Sequence, residues 1–185
     1  MKYKLGEKHP TKNLYRVVAL ENFGKVKAGA IGGWVQSTKN LSQRGDCWVS
    51  GEAEVFENAE VDKNARVAES AQVFGSARID KNALVSGHAR VYGSAVVTDG
   101  AHVFEGACVR GNAQVSGDAE VFGSAKVSGN ARVIDDSMVF ENARVSGNAW
   151  VVGCAEVFGD ASLSGDISVI EGAQVYGNAW VRGYI

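Results

Sequence analysis

Proline is nearly absent from this 185-residue chain, with one residue, Pro10. Together with 23 glycines that follow no Gly-X-Y pattern, this excludes collagen and proline-rich linkers and fits a chain that turns often and regularly. No segment approaches the roughly 18 apolar residues of a membrane span. The opening MKYKLGEKHPTKN has no apolar run, which predicts no signal peptide and leaves the Asn40-Leu41-Ser42 sequon idle. The three cysteines, Cys47, Cys108 and Cys154, are odd in number and far apart, so they form neither a disulfide framework nor a metal pattern. A reducing cytoplasm is the expected location. A GxxxxGK phosphate loop, an HExxH motif and the calcium-binding nonapeptide are all missing, so no cofactor and no metal are expected. The three threonines, Thr11, Thr38 and Thr98, share no register, which excludes the flat threonine array of an ice-binding surface.

What is present divides by charge. Residues 1–46 hold nine Lys/Arg against three Asp/Glu, and the remainder holds ten against eighteen. The asymmetry predicts two parts, a basic N-terminal cap segment over 1–46 and a second region over 47–185. The basic residues are scattered rather than clustered, which points to ordinary solvation and not to nucleic acid. With 45% hydrophobic residues, a real core is within reach.

The second region is ruled in sixes. From Val49 to Val181 every sixth residue is aliphatic, 23 in succession, without insertion or deletion. Two residues earlier stands alanine at 20 of the 23 steps, with Cys47, Ser137 and Ile167 as exceptions. Side chains two apart on a strand face the same way, so the small and the branched residue both point inward. The residue between them points out and is mostly polar: Glu54, Arg66, Gln72, Arg90, Lys126, Arg144. Two residues after the aliphatic, glycine occupies 14 of 23 steps. Elsewhere the following residue is usually Asn, Ser, Gly or Asp, types that tolerate left-handed backbone or supply turn hydrogen bonds. Each hexapeptide therefore reads as a short strand and a corner. Alanine near the corner follows from space, since a bulky residue there would collide with the neighbouring face.

Three hexads closing a triangle give a coil period of 18, and the aromatics test that period independently. Phe56, Phe74 and Tyr92 are 18 apart, as are Phe104, Phe122, Phe140, Phe158 and Tyr176. Coils stacked at strand spacing bring such residues about 4.8 Å apart, so each series becomes a ladder. The expected fold is all-β, a single-stranded triangular parallel β-helix of seven to eight coils, about 35 Å long, with a small N-terminal cap. In the leader, Leu14–Leu20 reads as a strand and Val26–Gln36 as a second, irregular one. An open solenoid end exposes strand edges, and the basic leader is placed to cover the first coil. The other end stops in mid-pattern at Gly183-Tyr184-Ile185, where self-association is expected.

The hexad Val145-Ser146-Gly147-Asn148-Ala149-Trp150 resembles the hexapeptide-repeat, LpxA-like superfamily, an aliphatic residue followed four later by a small one. The resemblance covers residues 47–185, implies a left-handed β-helix, and brings acyltransferases into view. One departure is that Ser or Phe often follows the aliphatic here, where the acyltransferases often carry Gly or another small residue. The style of Ser128-Gly129-Asn130-Ala131-Arg132-Val133, with leader elements Val26-Lys27-Ala28-Gly29, Gly32-Gly33-Trp34 and Gly45-Asp46-Cys47-Trp48, is more closely similar to YdcK-like bacterial and prophage repeat proteins, often labelled transferases by fold alone. A fold does not settle function.

For chemistry, acyltransferases of the resembled superfamily use a histidine base at a subunit boundary. Of His9, His88 and His102, His102 and His88 are the candidates. Glu120 lies one coil from His102 in the same column, where a carboxylate can orient an imidazole. The competing reading is a surface ladder pair. Cys108 falls on the next face, out of reach of His102. Asp62 and Asp80, one coil apart, are too few carboxylates for a cation site. The acyltransferases' extruded loop and C-terminal tail find no counterpart in the uninterrupted repeats.

The apolar columns point elsewhere. Phe104, Phe122, Phe140, Phe158 and Tyr176 form one; Ile134, Val152 and Ile170 form another; Trp150 and Trp180 point outward. Contiguous exposed apolar surface marks interfaces. The expectation is therefore a non-enzymatic, self-associating β-helical scaffold or binding protein, of bacterial or phage type by the resemblance, that forms a homo-oligomer. An acyltransferase is the alternative, and a phage-encoded inhibitor of a host factor a further one. Ser128, Ser146 and Ser164 read as solvent-facing.

Overall fold

The computed structural model describes residues 1–183; the end of the chain at Tyr184 and Ile185, where self-association was expected, lies outside them. The described residues form three sheets of eleven, eight and seven strands and no helix. From Trp48 onward nearly every strand is two residues long, an outward residue followed by its buried aliphatic: Glu54–Val55, Glu60–Val61, Arg66–Val67 and so on. Each pairs in parallel with the strand three hexads later, as Val85 with Val103 and Val103 with Val121. The aliphatic repeat is thus three columns on three faces of a prism. The first face runs through Val55, the second through Val61, and the third through Val67.

The interior is as the hexad requires. The valines and the alanines two residues before them are almost all solvent-inaccessible from Cys47 to Leu163. Each buried valine stabilises by about 1.5–3 kcal/mol through area removed from water. The backbone is held coil to coil, with Glu54, Phe56 and Asn58 N–H donating to the carbonyls of Ala71, Val73 and Gly75. Ser137 keeps its place in the alanine register by donating its hydroxyl to the Ile134 and Val151 carbonyls, at 2.7 and 3.1 Å. Ile167, the large residue in that register, is only half-buried.

The corners hold a finding that composition did not indicate. From Gly51 to Gly177 the left-handed residue is always the one two after the aliphatic, whatever its type. Glycine takes that conformation at Gly75, Gly93 and Gly111, and so do Glu57, Lys63, Glu69, Lys81, Asp99, Glu105, Asp135, Glu141 and Glu171, with φ between 57° and 63°. The Asn, Ser, Gly or Asp that follows does not take over the turn. Four of the glutamates show why their type is accepted. The carboxylates of Glu57, Glu69, Glu105 and Glu141 each accept the N–H of the corner glycine one coil later, at 2.7–2.9 Å. A long acidic side chain in left-handed backbone satisfies a donor that the strands leave over.

The leader begins with β1 (Tyr3–Lys8), which carries no hexad signal, followed by β2 (Tyr15–Ala19) and β3 (Ile31–Val35). β3 is shorter than the expected Val26–Gln36, since Val26 takes part only in a bridge with Phe23. β2 pairs antiparallel with both β1 and β3, and the three extend the first face. The coil stack begins within the basic segment, since β3 pairs in parallel with the strand at Glu54–Val55, and Leu41 bridges to Val61. The partners Val35 with Val55 and Leu41 with Val61 lie two residues further apart in sequence than partners along the prism, so the first coil is longer by that amount. The mouth of this coil is plugged by Lys2 and Tyr3. The Lys2 ammonium donates to the carbonyls of Arg44, Gly45 and Cys47, and the Tyr3 hydroxyl to those of Leu41 and Thr38. Burial, reinforced by neighbouring Cys47, pushes the Tyr3 hydroxyl up to about 12. Burial also raises the Cys47 thiol, against the opposing charge of Lys2.

Candidate interface

The aromatic ladders exist at the predicted spacing. Phe56, Phe74 and Tyr92 stack with ring centroids 5.0 and 4.8 Å apart. Phe104, Phe122, Phe140, Phe158 and Tyr176 stack at 4.9, 5.0, 4.9 and 5.4 Å. The rings lie within 14° of parallel, because each leaves an identical corner in an identical direction. The four phenylalanines of the long ladder are half-buried, while Tyr176 is 60% exposed.

Chain order places the two long apolar columns on one face. Ile134, Val152 and Ile170 follow the second-face valines, so they stand where the chain turns into the third face. The long aromatic ladder follows the third-face valines, where the chain leaves it. Between these two rails runs the outward row His102, Glu120, Met138, Glu156, Gln174. The third face of the C-terminal half is therefore a flat strip edged on both sides by hydrophobic side chains.

The tryptophans are not part of that strip. Trp150 points from the second face, 40% exposed, and the Arg132 guanidinium lies over its ring at 4.8 Å. Trp180 points from the first face, 75% exposed. The ten expected interface residues thus divide: eight border the third face and two stand on the other faces.

The expected chemical partners are less organised. His102 and Glu120 are neighbours in register, but no hydrogen bond joins them among the described residues. His88 sits at a different corner and uses its backbone N–H, to Glu105. Cys108 is on the first face, its thiol 3.7 Å from the Tyr92 hydroxyl, and does not approach His102. Asp80 is occupied by the protein's own cations, Arg78 at 2.9 Å and Lys63 at 3.3 Å, with the Lys81 N–H at 2.6 Å. Burial works to raise the Asp80 carboxyl, but these donors and charges outweigh it and hold it below the usual range. Among the described residues no group of three or more His, Cys, Asp or Glu is arranged to hold a metal ion.

One feature of the first face was not visible in the sequence. Lys126 and Arg144 pair in register, and Arg110 stands at the corner of the preceding coil. Sequence showed two of them as outward residues, yet strand alternation alone does not say that three cations from separate hexads adjoin one depression.

A family model, the YdcK beta solenoid repeat, matches residues 83–99. No curated protein sequence matches significantly. Among solved structures, the chain aligns with an Arabidopsis UDP-N-acetylglucosamine acyltransferase at 10% identity and a TM-score of 0.32, over 79% of this chain and 70% of that one. The matched segment covers the hexads around Val85, Val91 and Val97, whose strands and corners repeat along the whole prism. The chain is thus a β-solenoid, and its segment 83–99 is similar to the YdcK beta solenoid repeat.

Proposed function

We propose that this protein is a non-catalytic β-solenoid scaffold that associates with a second copy of itself through its third face. The observation that carries the proposal is the pair of apolar rails bordering one flat face. The choice of occupant rests on pitch. Rings spaced 4.9–5.0 Å apart form a comb whose spacing is fixed by the coil stack, and a second copy presents the same comb. The outer edges of one ladder then meet those of the other at a matching pitch along the strip, which a surface of unrelated spacing cannot do. Half-burial leaves each ring an outer edge to contribute, and aromatic residues are enriched at such contacts.

The test is the double substitution Phe122→Ser with Phe140→Ser, read by sedimentation equilibrium and far-ultraviolet circular dichroism. The expected result is a lower mass with the β spectrum retained. An unchanged mass with an unchanged spectrum refutes the assignment of the interface to this face.

A second reading is acyl transfer with His102 as base. It is supported by one observation, the placement of His102 beside Glu120 in register. It requires acyl-CoA-dependent transfer that His102→Ala abolishes and Glu120→Gln weakens. If wild-type protein transfers no acyl group to any amine or hydroxyl acceptor offered, this reading fails.

A further inference from the structure

We infer that the first face carries a binding site for a multiply charged phosphate-type anion, centred on Arg110, Lys126 and Arg144. A depression of about 510 Å³ lies over these residues, and its lining is Arg110, Lys126, Arg144, Ser128, Ser146 and Ser162. Three positive charges and three hydroxyls converge there, with no carboxylate in the lining. A second depression, of about 310 Å³, shares Lys126, Arg144 and Ser162 and has Asp160 in its lining; Asp160 accepts a hydrogen bond from Asn142.

The charges are unbalanced in a way that most of the prism avoids. Elsewhere, most cations of the outward rows and corners are matched: Lys63 and Arg78 pair with Asp80, and Lys81 with Asp99. In the leader, Lys12 pairs with Glu54 and Arg16 with Glu52. Arg90 and Arg132 lie over aromatic rings. Arg110, Lys126 and Arg144 have no side-chain hydrogen-bond, ion-pair or ring partner among the described residues, and Lys126 and Arg144 are direct neighbours across the sheet. Like charges opposite one another on adjacent strands are destabilising. The arrangement is relieved when an anion lies between them.

The geometry selects the anion. The three cations come from three successive coils, so they are spread over about 10 Å along the axis at strand spacing. A single orthophosphate reaches two of them at most, whereas a chain of linked phosphates matches the row. The hydroxyls of Ser128 and Ser162 face the same depression without a partner among the described residues and can donate to phosphate oxygens, while Ser146 is engaged with the Leu163 carbonyl at 3.2 Å. Arginine supplies planar, paired donors suited to phosphate. The site is independent of self-association, which uses another face.

The experiment is isothermal titration of the full chain with inorganic tripolyphosphate and, separately, with orthophosphate, at low ionic strength. The expected result is tighter binding of tripolyphosphate. Loss of one charge-assisted contact weakens binding about tenfold or more, so Lys126→Gln and Arg144→Gln each reduce affinity to that extent and the double variant removes it. The control is Arg66→Gln, an exposed cation on the third face, with binding unchanged. Absence of tripolyphosphate binding overturns the inference. So does equal weakening by Arg66→Gln, which marks diffuse attraction, and so does equal affinity for the two phosphates.

Discussion

Glu105 offers a sharp test of the corner chemistry. Its backbone is left-handed, with φ of 57°, which costs a residue bearing a Cβ about 1–2 kcal/mol. Its carboxylate returns part of this by accepting the Gly123 N–H at 2.9 Å, a contribution of about 1 kcal/mol at an exposed corner. Glu105→Ala keeps the strained Cβ and loses the acceptor, so it destabilises by about 1 kcal/mol. Glu105→Gly loses the acceptor too, but it removes the strain at an entropic cost of about 0.5–1 kcal/mol. The relief of strain nearly cancels the lost acceptor and the entropic cost together, and the glycine variant lies close to wild type. In a chain of this size, about 1 kcal/mol moves Tm by about 2–4 °C. Thermal melts followed by circular dichroism therefore rank wild type and Glu105→Gly together, with Glu105→Ala below. Hydrogen exchange at the Gly123 amide quickens in both variants. If Glu105→Ala melts with wild type, or if the two variants melt together, left-handed strain and its carboxylate compensation are not what governs these corners.

Two further outcomes follow from the buried polar groups. Tyr3→Phe leaves the Leu41 carbonyl without its 2.5 Å donor and costs about 1–3 kcal/mol, measured by urea denaturation at neutral pH. Because the folded state raises the Tyr3 pKa to about 12 from 10.0, its contribution is complete below pH 10 and is lost as pH rises towards 12. Tyr3→Phe should flatten that alkaline decline, and a decline of unchanged steepness refutes the assignment. Asp80 behaves oppositely. Its folded pKa is depressed below 3.8, so its stabilisation is present above that value and lost as pH falls through the folded pKa. Asp80→Asn should cost about 1–2 kcal/mol at pH 7 and make denaturation midpoints less sensitive to acid below pH 4. Equal acid sensitivity of the two proteins would count against the Lys63–Arg78–Asp80 cluster.

Glycine, valine and alanine at fixed offsets were enough to determine the solenoid. Only an inward column of branched side chains with a small companion, turning at every hexad, satisfies that pattern without interruption. The two ladders were legible for the same reason: three hexads return the chain to the same corner, so sequence spacing is spatial spacing. The leader was not legible in this way. β1 has no hexad, and its strand character comes from pairing with β2 and from the plugging of the first coil by Lys2 and Tyr3. Corner glutamates in left-handed backbone were also hidden, since their acceptability depends on a glycine N–H one coil away and not on their own propensity.

The same distinction runs through the functional surfaces. Sequence placed Phe104 to Tyr176 in one column and Ile134 to Ile170 in another. Only the order in which the chain rounds the prism decided that both border the third face, while Trp150 and Trp180 belong to other faces. His102 and Glu120 were adjacent by register alone, but whether two neighbours bond depends on side-chain direction, and no bond joins them among the described residues. The Arg110–Lys126–Arg144 cluster was the least visible, because it joins an outward row to a corner of the preceding coil. A repeat fixes which residues stack. Which stacked charges share a depression, and which of them find partners, is set by the folded surface.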